Sequence, residues 1–161
     1  MHRVTQFVAH VRARVEPEET AFARRILVDS TARLFDAMPF ADRRHALDVA
    51  ERLLARGYDD RDLLTAALLH DAAKGHRMRL WHRVAGVLLA ALVPGVLRRL
   101  ADPDPASWRY PFHLYLRHGP LSADLAERDG ASPRAAAFIR GTPDPADAHL
   151  SRALTEADDA S

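Results

Sequence analysis

Two histidines and an aspartate occupy positions from which they could bind a metal ion. His70 and Asp71 are adjacent in the apolar sequence LLTAALLHDAAKG, where polar side chains are costly to bury without partners. His45 precedes His70 by 25 residues and lies near the start of one predicted helix, whereas His70 lies near the end of the next. Because a short turn at Gly57 joins these helices, they should pack antiparallel and bring both imidazoles to the same end. Two imidazoles and a carboxylate from neighbouring helices outline a metal site.

The carboxyl end of the chain supplies a fourth candidate ligand. In LSRALTEADDAS, Leu150 and Leu154 repeat at the spacing of one helix face. Asp158 follows Leu154 by four residues and so falls on the buried side of this helix, whereas Asp159 falls outside it. The helical repeat therefore assigns the fourth ligand to Asp158.

The order of these residues resembles a known motif. His45, then His70-Asp71, then Asp158 is similar to the H…HD…D pattern of the HD-domain superfamily of metal-dependent phosphohydrolases. The sequence LLHDAAKG resembles the HDIGK variant of that pattern. This resemblance implies that the four residues hold one divalent metal ion. Nitrogen and carboxylate ligands without sulfur suit Mn, Fe, Co, Ni, Zn or Mg, and the sequence does not choose among them.

The likeness covers residues 40–161 and implies that this region is an HD domain. Residues 1–39 are expected to form an N-terminal helical extension that packs on its core. The implied activity is hydrolysis of a phosphate ester or anhydride in a nucleotide-like small molecule. A catalytically weak HD module that binds a nucleotide or a partner protein in a regulatory role is the alternative.

The resemblance also implies catalytic roles beside the metal ligands. In such a site the metal ion polarises the phosphoryl group and activates a water molecule, and Asp71 would both ligate the ion and orient that water. Lys74 would bind the substrate phosphate and neutralise its charge. The alternative for Lys74 is a cation that interacts with a helix C-terminus.

Further candidates for substrate binding follow the central motif. His118 opens a predicted helix on its inward face. The resemblance implies that it binds substrate phosphate or a second metal ion, and a structural cap is the alternative. Arg77 and Arg79 could reach a phosphate in bidentate fashion, although an exposed surface position is the alternative for each. Relatives with two metal ions usually carry a histidine after a segment like AAAFIR, where this chain has Gly141-Thr142. One metal ion is therefore expected rather than two.

Proline and glycine divide the chain into helix-sized segments, and no alternating β-branched run is visible. We therefore predict an all-α, single-domain helical bundle. The predicted helices are 4–15, 17–28, a segment that Ser30 caps and that stops before Pro39, 43–56, a segment that Asp59 or Asp60 caps and that runs to about residue 73, 80–100 with a break at Pro94, 105–117, 120–128, 133–140 and 145–158.

One predicted helix contains a long uncharged stretch. Residues 84–97 are 14 residues without a charge, preceded by Trp81-His82-Arg83 and followed by Arg98-Arg99. This stretch is too short to span a bilayer, and Pro94 interrupts it. A buried core helix is the expected structure, with a membrane-interface or oligomer contact as the alternative.

The composition excludes several classes of protein. The 161 residues are 48% hydrophobic and 28% charged, which is typical of a single globular domain. A net charge of +1 argues against a nucleic-acid-binding protein, and the absence of cysteine excludes disulfides and thiolate metal sites. The N-terminal sequence lacks the apolar region of a secretory signal, so the cytoplasm is the expected location. A phosphorylated small molecule is the expected partner, with a homodimer as a further possibility.

Overall fold

The all-α prediction is confirmed. A computed structural model describes residues 17–161, and this range contains nine α-helices, one short 3-10 helix and no β-strand. The predicted helix at 4–15 lies outside the described residues. The α-helices are α1 (Pro17–Ile26), α2 (Asp29–Asp36), α3 (Phe40–Ala55), α4 (Arg61–Leu69), α5 (Leu80–Leu92), α6 (Pro94–Leu100), α7 (Tyr110–Arg128), α8 (Pro133–Arg140) and α9 (Ala148–Asp159), with the 3-10 helix Pro145–Asp147 before α9.

The α3–α4 pair forms the centre of the fold. Gly57, between the two helices, has a φ of 84°, a left-handed conformation that glycine adopts without steric cost. The Asp60 side chain then caps α4 by accepting a hydrogen bond from the Leu63 amide at 3.0 Å. His45 near the start of α3 meets His70 at the end of α4, so the two helices run antiparallel as predicted. Helix α9 packs against both of them.

One hydrophobic core joins most of the described helices. It draws on buried side chains of α1 to α4 and α7 to α9, and these include Ala23, Phe35, Leu47, Leu53, Leu68, Ala126, Phe138 and Leu154. The described part of the segment 1–39 contributes to this same core. Burial of a leucine or phenylalanine side chain stabilises a fold by about 1.5–3 kcal/mol. The core therefore fixes the ends of α3, α4 and α9 relative to one another.

Helix α7 is continuous where two helices were predicted. Pro120 lies inside it rather than at the start of a new helix. Proline removes one backbone hydrogen bond, which usually bends or breaks a helix. Here α7 packs against α5, α6 and α8, so tertiary contacts keep the helix continuous across the proline.

Two other boundaries differ from the predictions. Ser30 does not cap α2, which begins at Asp29, because its hydroxyl instead donates to the Asp129 carbonyl. Helix α4 ends at Leu69 rather than near residue 73. The Ala73 amide, which would continue the helical pattern, donates to the Ser122 hydroxyl at 3.0 Å.

The expectation that residues 84–97 form a buried core helix is wrong. Helix α5 packs one face on α7, where Gly86 lies against the Tyr115 ring. The side chains of Val87, Leu88 and Leu92 are exposed. Within residues 17–161, none of the helices combines the length and the hydropathy that a membrane span requires.

Candidate metal centre

Three side chains from three different helices converge at one end of the α3–α4 pair. The Nε2 atom of His45 lies 2.8 Å from Oδ1 of Asp158, and Nε2 of His70 lies 3.4 Å from the same oxygen. The two Nε2 atoms are 3.3 Å apart. These ligand atoms all lie within 4.8 Å of one another, so the cluster could hold a metal ion. We call His45, His70 and Asp158 the metal cluster.

Backbone carbonyls fix which nitrogen of His70 and of His118 can act as a ligand. The Nδ1 atom of His70 lies 2.9 Å from the Ala67 carbonyl oxygen, and Nδ1 of His118 lies 3.0 Å from the Tyr115 carbonyl oxygen. A carbonyl can only accept, so each Nδ1 carries the proton. A neutral imidazole in this tautomer presents the lone pair of Nε2. His70 therefore directs its Nε2 lone pair toward His45 and Asp158, the other members of the metal cluster. Hydrogen bonds to carbonyls commonly orient metal-binding histidines in this way.

Asp71 adds a carboxylate oxygen that lacks a hydrogen-bond partner. Its side chain is only 1% exposed, and Oδ2 accepts a hydrogen bond from the Lys74 ammonium at 2.6 Å. Oδ1 is buried and finds no hydrogen-bond donor among the described residues. It lies 3.6 Å from Nε2 of His70 and 3.8 Å from Nε2 of His118. An unsatisfied buried charged oxygen costs at least about 1–3 kcal/mol, which a cation at this position would offset.

The electrostatics of the site favour a positive charge beside His70. Burial lowers the pKa of this imidazole, but the carboxylates of Asp71 and Asp158 raise it more, so it lies above its ordinary value. Burial likewise raises the pKa of Asp71, yet His70 and the Lys74 ammonium outweigh it and hold this pKa below the usual range. Because both carboxylates stay ionised, they attract a proton or a metal ion to the same place.

The pKa values of Asp158 and His118 are both lowered, but for different physical reasons. Burial raises the pKa of Asp158, but the neighbouring imidazoles of His45 and His70 lower it far more, and its pKa lies well below the usual range. For His118, burial and the nearby Lys74 ammonium both lower the pKa. A lowered imidazole pKa keeps His118 neutral near pH 7, so its Nε2 lone pair remains able to bind a cation or accept a proton.

A cavity of about 170 Å³ opens beside the metal cluster. Its lining includes the polar side chains of His70, His118 and Asp158. It also includes the apolar side chains of Phe138 and Leu154. The cavity therefore suits a small ligand with one charged and one apolar part.

The predicted site residues fall into two groups in space. The structure brings together His45, His70, Asp71, Asp158, Lys74 and His118 through the contacts given above. It does not place Arg77 with them, because this exposed guanidinium donates to the Pro105 carbonyl and lies 5.8 Å above the Tyr110 ring. Arg79 is also exposed and occupies the N-cap position of α5.

Sequence reasoning missed the residue that shapes the turn carrying Asp71 and Lys74. Ser122 is completely buried, and its hydroxyl holds the Ala73 amide between those two residues. Its spacing of four residues from His118 was the available signal, since this spacing places both side chains on one face of α7.

No family model, no curated protein and no solved structure matches this chain.

Proposed function

We propose that the protein is a metal-dependent phosphohydrolase of the HD type. Its substrate would be a phosphate ester or anhydride of a nucleotide-like small molecule. The observation that carries this proposal is the convergence of His45, His70 and Asp158, with the unpartnered Oδ1 of buried Asp71 beside them. Such a set of nitrogen and carboxylate ligands suits one divalent ion among Mn, Fe, Co, Ni, Zn and Mg.

A divalent ion bound here would supply Lewis acidity toward a phosphoryl oxygen and lower the pKa of a water molecule. Asp71 is positioned to orient the attacking water, because its Oδ1 is free of other hydrogen bonds among the described residues. Lys74 holds Oδ2 of the same carboxylate at 2.6 Å and is 19% exposed, so its ammonium can also donate to a substrate phosphate. Nε2 of His118 lies 3.8 Å from Oδ1 of Asp71. His118 also lines the cavity, where its neutral imidazole can contact the phosphate or exchange a proton.

The cavity supports a substrate with both a phosphate and an apolar or flat part. The metal cluster and His118 would receive the phosphate, since His70, His118 and Asp158 line the cavity. Phe138 and Leu154, which also line it, would contact a base or sugar. A nucleotide combines these two chemistries in one small molecule, which is why we place the substrate in that class.

Metal analysis and a phosphatase panel test this proposal. Purified protein is assayed on nucleoside mono-, di- and triphosphates with Mn²⁺, Ni²⁺, Co²⁺ and Mg²⁺, in parallel with His45→Ala, Lys74→Gln and the control His149→Ala. His149 is exposed, and its ring contacts the Ala146 carbonyl, so its loss should leave metal content and turnover unchanged.

We expect His45→Ala to lose bound metal and Lys74→Gln to keep the metal but lose at least about tenfold in turnover, as for removal of one charged group that contacts a transition state. Folding of each variant is verified by circular dichroism. Full activity in His45→Ala would refute the proposed site. Binding of metal and nucleotide without turnover by the wild-type protein would instead favour the regulatory binding module.

A further inference from the structure

The outer face of the α5–α6 segment exposes apolar side chains. Those of seven residues are each at least 43% exposed, namely Trp81, Val84, Val87, Leu88, Leu92, Val93 and Val96. We call these seven residues the apolar hairpin surface. Leu92, next to the junction of the two helices, is 75% exposed and so has few contacts with the rest of the protein.

The opposite face of α5 already has a partner within the protein. Gly86 lies against the Tyr115 ring, and the His82 ring contacts the Phe112 ring at 6.0 Å between centroids. The Arg83 guanidinium pairs with the buried carboxylate of Asp42 and ties α5 to the start of α3. A helix that is apolar on all sides is expected where both of its faces are covered. Helix α7 covers one face of α5, and the apolar hairpin surface is left for another partner.

Charged residues around the surface indicate the chemistry of that partner. Residues 84–97 carry no charge, and Arg98 and Arg99 follow them with exposed side chains. The wider segment 75–119 contains seven arginines and two aspartates, and one of these aspartates, Asp102, pairs with Arg109 at 3.1 Å. A matching surface is therefore apolar where it meets the helices and anionic where it meets the arginines.

An anionic bilayer has this arrangement, since its acyl chains lie beneath a layer of negative headgroups. Helix α5 has 13 residues and is about 20 Å long, shorter than the ~30 Å hydrocarbon core, so it would lie along the interface. Trp81 at its start has the side chain that favours this depth. A second copy of the chain is a poorer match, because pairing the two surfaces would bring two sets of arginines together.

We propose that the apolar hairpin surface binds the face of an anionic lipid bilayer, with Arg98 and Arg99 contacting the headgroups. Sedimentation of the full-length protein with phosphatidylcholine–phosphatidylglycerol vesicles, and with pure phosphatidylcholine vesicles, tests it. The variants are Leu92→Glu, the double variant Arg98→Gln/Arg99→Gln, and the control Leu54→Glu. Leu54 is a 38% exposed leucine on α3, outside the apolar hairpin surface.

Binding to the anionic vesicles is expected for the wild-type protein and should weaken at high salt. Leu92→Glu should reduce the partition coefficient more than tenfold, because it removes an apolar contact and adds a repelled charge. The arginine variant should lose about fivefold per residue, as expected for one cation near an anionic surface. Leu54→Glu should bind like the wild-type protein.

Three results would overturn the proposal. The first is failure of the wild-type protein to sediment with anionic vesicles. The second is equal binding by wild type and Leu92→Glu. The third is a dimer in size-exclusion chromatography that Leu92→Glu dissociates while vesicles bind neither protein, which would assign the surface to contact between two copies. Because Leu92 is so exposed, the substitution should leave the fold intact, and circular dichroism verifies this.

Discussion

Replacement of Asp158 by asparagine tests the metal cluster with an almost isosteric change. Oδ1 of Asp158 lies 2.8 Å from His45 and 3.4 Å from His70, so its carboxylate is central to the set. Disturbing a residue behind a metal ligand already weakens metal affinity by about 10–100-fold. Loss of a ligand's charge should therefore weaken it by about 100-fold or more.

The expected thermal shifts follow from this factor. A metal concentration 100 times the wild-type dissociation constant stabilises the folded protein by about 2.7 kcal/mol. For a chain of this length that raises Tm by about 5–11 °C. In Asp158→Asn the same concentration only equals the dissociation constant, which leaves about 0.4 kcal/mol and a shift of about 1–2 °C.

Differential scanning fluorimetry with Mn²⁺, Ni²⁺, Co²⁺ and Zn²⁺ measures these shifts against the metal-free form of each protein. Asp159→Asn is the matched control, because the Asp159 side chain is exposed and the substitution removes the same charge at the neighbouring position. It should keep the full wild-type shift. Equal shifts in wild type and Asp158→Asn would refute the assignment of Asp158, and the absence of any shift in the wild-type protein would refute metal binding by the cluster at these concentrations.

The other predictions concern helix packing and pH. A Cβ atom at position 86 would lie 2.5 Å from the Tyr115 ring, whereas one at position 95 would meet no heavy atom within 4 Å. In urea unfolding, Gly86→Ala should therefore be about 1–3 kcal/mol less stable than Gly95→Ala, and equal stability would contradict the packing of α5 on α7. Although burial raises the pKa of the Asp60 carboxyl, a backbone amide and the Arg134 guanidinium hold it below its ordinary value. A lowered carboxyl pKa gives stabilisation that is complete above about pH 4 and is lost as pH falls through the folded-state pKa. The free energies of unfolding of wild type and Arg134→Met should therefore differ at pH 7 and converge in acid. A difference that does not change with pH would argue against stabilisation by the Asp60–Arg134 ion pair.

The sequence was most informative about the metal cluster because helical geometry is regular. A spacing of four residues from Leu154 was enough to orient Asp158, and a short turn at Gly57 was enough to bring His45 to His70. The intervening core only has to hold α3, α4 and α9 together, and many apolar sequences do that.

Features that depend on particular tertiary contacts were not predictable. Pro120 is an ordinary helix-start signal, and only the packing of α7 against its neighbours explains why the helix continues through it. A serine hydroxyl such as that of Ser30 commonly caps its own helix, but here it donates a hydrogen bond to the Asp129 carbonyl, 99 residues away. A run of apolar residues such as 84–97 indicates burial without saying what buries it, and here residues 17–161 cover only one face.

The ion pair between Lys74 and Asp71 has a practical consequence for spectroscopy. Lys74 is the single lysine of the chain, so its ε-amino group is the one lysine amine in the protein. Isotopic enrichment of lysine at Nζ alone would thus give one side-chain ammonium signal, from an atom that lies 2.6 Å from Oδ2 of Asp71. The protein carries a built-in reporter whose chemical shift would register the arrival of a cation or a phosphate without any further labelling.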